Sequence, residues 1–274
     1  MVSFKGEVME DITHTYFATQ YELRKHLKRK RLIIAVILAV VIPILFYAIP
    51  KIWGIGFADT SESFVSSNLG YANMLIIICV ALFAGDAISG EFEKKTALLT
   101  FSTPQRRISI FVGKYLAALT AVFIIVSLYY IITTLEAVQI YGINNIPSEL
   151  VKSYLLALLY VCSVLSLTFF FSSIFKGTIS STLLSFFSLM MILPIVSMLL
   201  TVAGIEPWFI VTYSADLITD VFVQPSLMRG ARGVQGGGFT EYAPDFGTGV
   251  WVMVGYAVIL FIMSIIIAVR RDVE

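Results

Sequence analysis

Side chains for acid–base, metal or nucleotide chemistry are scarce in this chain. Histidine occurs only at His14 and His26, both before the first long apolar run, so no Ser/His pair can form within the apolar part. No His-Glu-x-x-His segment occurs, and the segment "EFEKK" at 91–95 has the wrong spacing for two histidine ligands. The phosphate-binding pattern G-x-x-x-x-G-K-[ST] is also missing, apart from a fragment at 176–178. We therefore predict no catalytic residue, no metal site and no bound cofactor in this chain.

Charge is concentrated in one stretch, residues 85–114, "GDAISGEFEKKTALLTFSTPQRRISIFVGK". Charged residues flank a short apolar insert, and Pro104 follows it. Because proline biases the preceding residue away from helix, we predict a helix end, a short amphipathic helix across 96–102, a break and a new helix. Charged flanks and an apolar tip favour docking onto another protein. An ordinary positively charged loop would explain the arginines but not the apolar insert.

The elements that must position this stretch are membrane helices. The chain has 274 residues, of which 58% are hydrophobic and 14% charged, and this composition is too apolar for a soluble protein. A bilayer core of about 30 Å requires about 20 apolar helical residues. We predict an all-α polytopic membrane protein with six transmembrane helices, in which Pro43 and Pro194 kink their helices. The six stretches are 32–50, 71–88, 108–136, 152–175, 179–203 and 250–269.

The distribution of basic residues predicts the orientation in the plasma membrane. With the N-terminus inside, most of the 19 lysine and arginine residues fall in cytoplasmic segments, as the positive-inside rule requires. Both termini and the loop 89–107 are then cytoplasmic, and segment 204–249, with short helices of its own, is external. The net charge of +1 implies no attraction to nucleic acid. The external segments would contain only Lys51, Lys152, Arg229 and Arg232.

Residues 1–31 form a cytoplasmic segment before the single six-helix domain at 32–274. Apolar residues recur at steps of three and four, which predicts a helix with one apolar face. Its basic end, "RKHLKRKR", directly precedes the first span, so we predict an amphipathic helix on the inner membrane surface. The alternative is a disordered tail with a basic cluster that sets the orientation. The apolar face consists of Met9, Ile12, Tyr16, Leu23 and Leu27.

The run "SGEFEKKTALLTFSTPQRRISIFVGKYLAAL", residues 89–119, resembles the loop between the second and third spans of ATP-binding-cassette type-2 permeases. That family commonly has a Glu, charged residues, a Thr-Leu-type apolar insert, Ser-x-Pro, basic residues and a Gly-Lys that opens the next span. This sequence departs from the family at Lys95, where many relatives have Gly before the Thr. The matching residues are Glu91, Thr96, Leu98, Leu99, Ser102, Pro104, Arg106, Arg107, Gly113 and Lys114.

The resemblance implies a division of labour between chains. Such permeases pair as homo- or heterodimers, and each docks a separate cytoplasmic ATPase, which binds ATP and Mg, through a coupling helix in this loop. It implies that this chain is a non-enzymatic transport subunit in the lipid membrane, most consistent with export of a substrate that the sequence does not identify. The residues it assigns to ATPase coupling are Glu91, Thr96, Leu98, Leu99, Phe101, Pro104, Arg106 and Arg107.

Other polar residues allow two interpretations each. The serines of spans 4 and 5 either let helices approach closely or line a polar pathway, and we favour the first. Glu136 is either a pathway acid or an end residue that reaches the membrane surface, and we favour the second. Asp216 and Asp220 lie one helical turn apart, and without further ligands they are more typical of a solvated helix face than of a cation site.

A second class of function remains open at the level of sequence. The chain could be a non-transporting or ATP-independent membrane protein, such as an assembly factor or a channel-like protein. A gene for a soluble ATPase with a phosphate loop beside this one would favour the transporter, and its absence would favour the alternative.

Overall fold

A computed structural model describes residues 4–54, 56–93, 105–222 and 242–271, and this part of the chain contains helices and no strand. The elements are α1 (Phe4–Lys28), α2 (Lys30–Trp53), α3 (Ser61–Leu69), α4 (Ala72–Ala84), α5 (Ser89–Glu93), α6 (Arg107–Tyr141), α7 (Leu150–Ile174), α8 (Thr178–Phe187), a π-helical turn (Ser188–Ile192), α9 (Leu193–Val202), α10 (Val211–Ser214), α11 (Leu217–Asp220) and α12 (Phe246–Arg270).

Within the described residues, six helices are long and apolar enough to cross a membrane, which agrees with the predicted number of spans. Spans 1, 3, 4 and 6 are α2, α6, α7 and α12, and span 5 covers 178–202. Span 2 covers 61–93 and begins ten residues before the predicted position 71. The predicted kink at Pro194 coincides with a π-helical turn at Ser188–Ile192, after which Pro194 occupies the first turn of α9. Proline lacks an amide hydrogen, so a break in the α-helical hydrogen bonds is expected here.

Spans 2, 3 and 4 form the core of the bundle. About two thirds of the central residues of spans 2 and 4 are buried (67%), compared with 17% in spans 1, 5 and 6. The largest buried side chains include Phe83, Tyr129 and Tyr160, one from each of the three central spans. Large apolar side chains on spans 1, 5 and 6 are exposed instead. Such surfaces suit contact with lipid or with another membrane protein.

Serines join the spans, as the first of the two interpretations predicts. The hydroxyl groups of Ser163 and Ser166 on α7 donate to the carbonyls of Met253 and Ala257 on α12, at 2.7 and 2.9 Å. Small side chains let helix backbones approach, and the hydroxyl satisfies a carbonyl across the interface. These serines therefore hold span 6 against the core.

The short helices α10 and α11 are buried against the bundle. Ser153 on α7 donates to the carbonyl of Ile218 at 2.6 Å, and Ser66 on α3 contacts the carbonyl of Thr219 at 3.5 Å. Asp216 is exposed, but Asp220 is only 3% exposed, so the expected solvated face of paired carboxylates is wrong. The remaining part of the predicted external segment, 223–241, lies outside the described residues.

Glu136 does not reach outward to a membrane surface. Its side chain is buried on α6, and Oε2 accepts a hydrogen bond from Nδ2 of Asn68 at 3.3 Å. Tyr129 in turn donates to Oδ1 of Asn68 at 2.7 Å. The favoured interpretation of Glu136 as an end residue is therefore wrong, because span 2 covers it with an amide that satisfies one carboxylate oxygen.

Candidate functional site

The charged stretch begins where span 2 changes direction, between α4 and α5. The hydroxyl of Ser172 on α7 accepts hydrogen bonds from the amides of Ile88 and Ser89, both at 3.1 Å. Ser181 on α8 donates to the carbonyl of Gly85 at 2.8 Å. A methyl group at Gly85 would lie 2.7 Å from Oγ1 of Thr182, so glycine is needed for this close approach. Spans 4 and 5 thus fix the short helix α5, which carries Glu91.

Lys114 lies between two carboxylates from different parts of the chain. Its ammonium group is 2.8 Å from Oε1 of Glu91 on α5 and 2.5 Å from Oε1 of Glu22 on α1. The Lys114 side chain is only 5% exposed, and the two carboxylates are 14% and 11% exposed. Charge-assisted hydrogen bonds of this kind are about twice as strong as neutral ones. Lys114 therefore ties the end of span 2 and the start of span 3 to the N-terminal helix.

Lys25 adds a second, more exposed cation to this cluster. Its ammonium group lies 3.1 Å from Glu22 and 3.8 Å from Glu91. Burial acts to raise the pKa of Glu22, but the charges of Lys114 and then Lys25 outweigh burial and hold this pKa below its usual range. Glu22 is therefore ionised at neutral pH, and the cluster contains two carboxylates and two ammonium groups. We call Glu22, Lys25, Glu91 and Lys114 the four-charge cluster.

Gly113 allows α1 to approach span 3 beside this cluster. A methyl group built on Gly113 would lie 2.6 Å from Cβ of Ala18 and 3.1 Å from the backbone nitrogen of Thr19. Real Cβ atoms do not come so close to other atoms, so a larger residue would push α1 away. The Gly-Lys pair at 113–114 thus has one physical explanation. Glycine provides the space for α1, and lysine provides its ionic bond.

A second ion pair joins the connection between α1 and α2 to span 2. Nη1 of Arg31 lies 2.8 Å from Oδ2 of Asp86 and donates to the carbonyl of Leu82 at 3.0 Å. Nη1 of Arg29 lies 3.6 Å from the same carboxylate oxygen. The basic residues before span 1 therefore do more than set its orientation, because they bind the turn that leads into α5.

Both edges of the segment 94–104 are attached to other helices. Oε2 of Glu93 accepts a hydrogen bond at 2.5 Å from the amide of Thr178, the first residue of α8. Arg106 forms an ion pair with Asp11 on α1 at 2.7 Å, and Arg107 donates to the carbonyl of Val269 on α12 at 3.2 Å. The residues on either side of 94–104 are thus connected to α1 and to spans 5 and 6.

Three of the eight predicted coupling residues lie in the described part of the chain, namely Glu91, Arg106 and Arg107. All three contact α1 or a neighbouring span. The other five lie outside the described residues, as does the predicted short helix across 96–102. These five are Thr96, Leu98, Leu99, Phe101 and Pro104.

A cavity of about 630 Å³ borders the four-charge cluster. Phe17 and Tyr21 on α1, Gly90 at the end of span 2 and Gln105 before span 3 contribute to its wall. This space lies between α1 and the end of span 2, beside the four-charge cluster. The arrangement joins α1, α5 and α6 through ion pairs.

Sequence reasoning missed the role of Glu22. The predicted apolar face of α1 is divided. Met9, Ile12 and Tyr16 are all more than 60% exposed, whereas Leu23 packs against the hydrophobic core. The opposite face, with Glu22 and His26, is buried instead. A signal was present, because Ala18, Glu22 and His26 recur at four-residue steps and thus share one side of a helix. Nothing in the sequence, however, indicated that Lys114 is their neighbour.

His26 makes the attachment of α1 sensitive to acid. Burial lowers the pKa of His26 to about 4, from an ordinary value of 6.5, and its ring packs edge-on against Phe83 at 5.3 Å. The unfolded chain binds this proton first, so stability is present above pH 6.5 and decreases as pH falls toward 4. We expect a loss of about 1.6 kcal/mol between pH 6.5 and pH 5. The thermal unfolding midpoint in nanodiscs at a series of pH values measures it.

The control for this pH effect is His26→Phe, which retains an aromatic ring beside Phe83 and removes the titrating group. We expect it to flatten the dependence above pH 5, where Glu22 remains ionised. His14→Phe, at a part-exposed position on the same helix, should leave the dependence as in the wild type. An unchanged pH profile in His26→Phe would show that another group is responsible.

A family model described as "Protein of unknown function (DUF2705)" matches residues 32–273. The match covers all six spans and both edges of the 94–104 segment, and it begins after α1. No curated protein matches the sequence.

Proposed function

Because the chain belongs to the DUF2705 family, whose description names no function, we propose its role from the geometry and from the resemblance of residues 89–119. The chain is the membrane-spanning permease subunit of an ATP-binding-cassette transporter of type 2, and an exporter. It forms a dimer with a second permease copy in the plasma membrane. A separate cytoplasmic ATPase docks on the loop 89–107, and both termini lie on that side.

One observation carries the proposal. Glu91, Gly113 and Lys114 are separated in sequence but belong to the stretch that resembles type-2 permeases, and they meet at a single place on α1. A loop that only set the orientation of the protein would need basic residues at the surface. It would not need a lysine that is 95% buried between two carboxylates, because burying charges is costly and a surface loop could keep its basic residues in water.

The geometry supports a mechanism of transmission. The docked ATPase moves residues 94–104, and this segment pulls on Glu93 at one edge and on Arg106 and Arg107 at the other. Glu93 acts on span 5 through Thr178, and Arg107 acts on span 6 through Val269. The four-charge cluster keeps α1, span 2 and span 3 together during this movement. ATP hydrolysis in the partner is thereby converted into rearrangement of the spans.

The test is recovery of the ATPase with the tagged full-length permease from its native membranes. We expect a co-purifying subunit that has a phosphate loop and hydrolyses ATP. Leu99→Ala combined with Phe101→Ala should reduce its recovery while the permease still inserts. Loss of two buried anchors typically costs more than about 2 kcal/mol, which corresponds to about 30-fold weaker binding. Because the ATPase is cytoplasmic, its recovery also tests the orientation of the loop.

A matched control is Ile143→Ala combined with Val151→Ala, two exposed apolar residues at the far end of the bundle from α1. This pair should leave recovery unchanged. If both double variants recover equal amounts of ATPase, the loop is not the docking site. If no subunit with a phosphate loop co-purifies with the wild type, the chain belongs to the alternative class of ATP-independent membrane proteins.

A further inference from the structure

The side of α1 that faces away from the bundle is apolar and exposed. Tyr21 is 70% exposed and Phe17 is 55% exposed, whereas Glu22 and His26 on the other side are buried. An amphipathic helix next to a membrane span buries such an apolar side in the boundary between head groups and acyl chains. We call this side the outward face of α1. Its large apolar residues are Met9, Ile12, Tyr16, Phe17, Tyr21 and Leu27.

The end of α1 lies where span 1 enters the membrane. α1 ends at Lys28, and α2, which is span 1, begins at Lys30. From Leu32 the sequence of α2 continues as an apolar run, "LIIAVILAVVIPILF". Tyrosine, lysine and arginine side chains at such a boundary are typical neighbours of lipid head groups. The last turns of α1 are therefore placed beside the head groups of one leaflet.

The basic residues at this boundary form two sets. Lys25, Arg29 and Arg31 bind carboxylates of the protein, as described above. The second set is exposed, and no ion pair or hydrogen bond joins its side chains to another described residue. We call it the set of unpaired cations, and a negatively charged ligand can bind it without breaking an ion pair of the protein. Its members are Arg24, Lys28 and Lys30.

Two of the unpaired cations continue an aromatic edge of the outward face. Four exposed residues follow one another at steps of four, three and four positions, so they share one side of the helix. The aromatic half of this edge fits the apolar part of a lipid, and the cationic half fits a phosphate. A phospholipid with net negative charge has both parts in one molecule, whereas a soluble anion would leave the aromatic half in water. The four residues are Phe17, Tyr21, Arg24 and Lys28.

We infer that the outward face of α1 binds anionic phospholipids of the leaflet that it touches. The head-group phosphates lie against the unpaired cations, and the acyl chains lie against Phe17, Tyr21 and Leu27. Anionic lipid thereby holds the end of α1 at the membrane surface. Binding requires neither the ATPase nor the coupling mechanism proposed above, and it holds for either orientation of the chain. Either proposal can therefore fail without the other.

The test measures lipid binding to the purified full-length chain in a non-ionic detergent by native mass spectrometry, which resolves each bound lipid. Phosphatidylglycerol and phosphatidylcholine with identical acyl chains differ in net charge. We expect the first phosphatidylglycerol to bind at least about tenfold more tightly than the first phosphatidylcholine, since each lysine or arginine near an anionic lipid surface contributes about fivefold. Glycerol phosphate has the anionic group without acyl chains, and an excess of it should not displace phosphatidylglycerol.

Two double variants locate the binding. Arg24→Gln combined with Lys28→Gln should weaken phosphatidylglycerol binding at least about tenfold and leave phosphatidylcholine binding unchanged. Lys51→Gln combined with Lys152→Gln is the matched control, because it removes the same charge from exposed positions at the opposite end of the bundle. This control should bind both lipids as the wild type does. Neither pair of residues forms an ion pair with a described carboxylate, so both variants should fold.

Hydrogen exchange in nanodiscs places the lipid on α1. Adding phosphatidylglycerol to phosphatidylcholine nanodiscs should slow exchange of the α1 amides in the wild type and in the control, but not in the variant that lacks Arg24 and Lys28. Equal affinity of the wild type for the two lipids, or displacement of phosphatidylglycerol by glycerol phosphate, would overturn the inference. If α1 exchange does not respond to phosphatidylglycerol, the outward face is covered by something other than anionic lipid, and the inference is wrong.

Discussion

Replacing Lys114 with methionine is expected to destabilise the chain more than any other single charge removal in the four-charge cluster. The substitution retains the length of the side chain but leaves Glu22 and Glu91 facing each other around a buried position that was 5% exposed. Removing one partner of a buried ion pair typically costs about 3–5 kcal/mol, because the remaining charge has lost its compensation. We expect a clear fall in the thermal unfolding midpoint in nanodiscs and faster hydrogen exchange in α1.

Lys25→Met is the matched control for this prediction. It removes the same charge from the same cluster, but the Lys25 side chain is 35% exposed and its distances to the carboxylates are longer. Surface ion pairs of this kind contribute about 0–1 kcal/mol, so the effect should be small. Combining Lys114→Met with Glu22→Gln and Glu91→Gln should restore much of the stability. Equal effects of the two lysine variants would mean that the Lys114 ion pairs contribute no more than surface charges.

Glu91→Gln separates the structural role of the cluster from its proposed role in coupling. The amide retains the shape of the carboxylate, and Glu22 still compensates Lys114, so the fold and the docking of the ATPase should persist. The proposal assigns Glu91 to transmission of movement from the 94–104 segment. Substrate-dependent stimulation of ATP hydrolysis should therefore decrease more than basal hydrolysis. If substrate-dependent stimulation of ATP hydrolysis in this variant equals that of the wild type, Glu91 does not transmit movement. That result would not change the expected contribution of the four-charge cluster to stability.

The sequence predicted the six spans well, because a bilayer imposes length and apolarity on each segment separately. The prediction was incomplete for a helical segment that is surrounded by other helices of the protein and not by lipid. The segment 61–70, "SESFVSSNLG", has too many polar residues to be recognised as membrane-spanning, yet it precedes α4 in the same helical stretch, Ser61–Glu93. Its polar groups are satisfied within the protein, as in the bond from Tyr129 to Asn68. Hydropathy measures fitness for lipid, so it does not detect a polar helical extension whose side chains are covered by other helices.

The candidate site was predicted in part for a related reason. Glu91, Arg106 and Arg107 were predicted because they lie in one continuous stretch that resembles a known loop. A sequence motif consists of residues that are close together in the sequence. Glu22 is separated from Lys114 by 92 residues, and no periodicity links positions so far apart. Asp220 was misjudged in the same way, since its helical spacing indicated a shared face but not which neighbour covers that face. Contacts between distant segments can be identified only in the folded chain. The helices that make these contacts can be predicted from the local sequence.

Gly113→Val is expected to detach α1 from span 3. The added Cβ would lie 2.6 Å from Cβ of Ala18, and the next contacts, at 3.1 and 3.2 Å, are backbone atoms of α1 that cannot rotate away. Overpacking of this kind costs about 1–3 kcal/mol, and here it acts directly on the helix that contributes Glu22. We expect the α1 amides to exchange hydrogen at least about tenfold faster than in the wild type. The fold of spans 2–4 should be preserved.

Two comparisons make this result specific to the close approach of α1. Gly255→Val places the same side chain on α12, where a Cβ meets no atom within 4 Å, and should leave exchange in α1 unchanged. Combining Gly113→Ala with Ala18→Gly removes the shortest contact and should recover part of the protection that Gly113→Ala alone loses. If α1 transmits movement of the loop, Gly113→Val should also reduce stimulation of the bound ATPase without releasing it, because the proposed docking site is at residues 96–102. Slow exchange of α1 in Gly113→Val would show that this helix does not depend on Gly113, and the N-terminal helix would then have to be excluded from the coupling path.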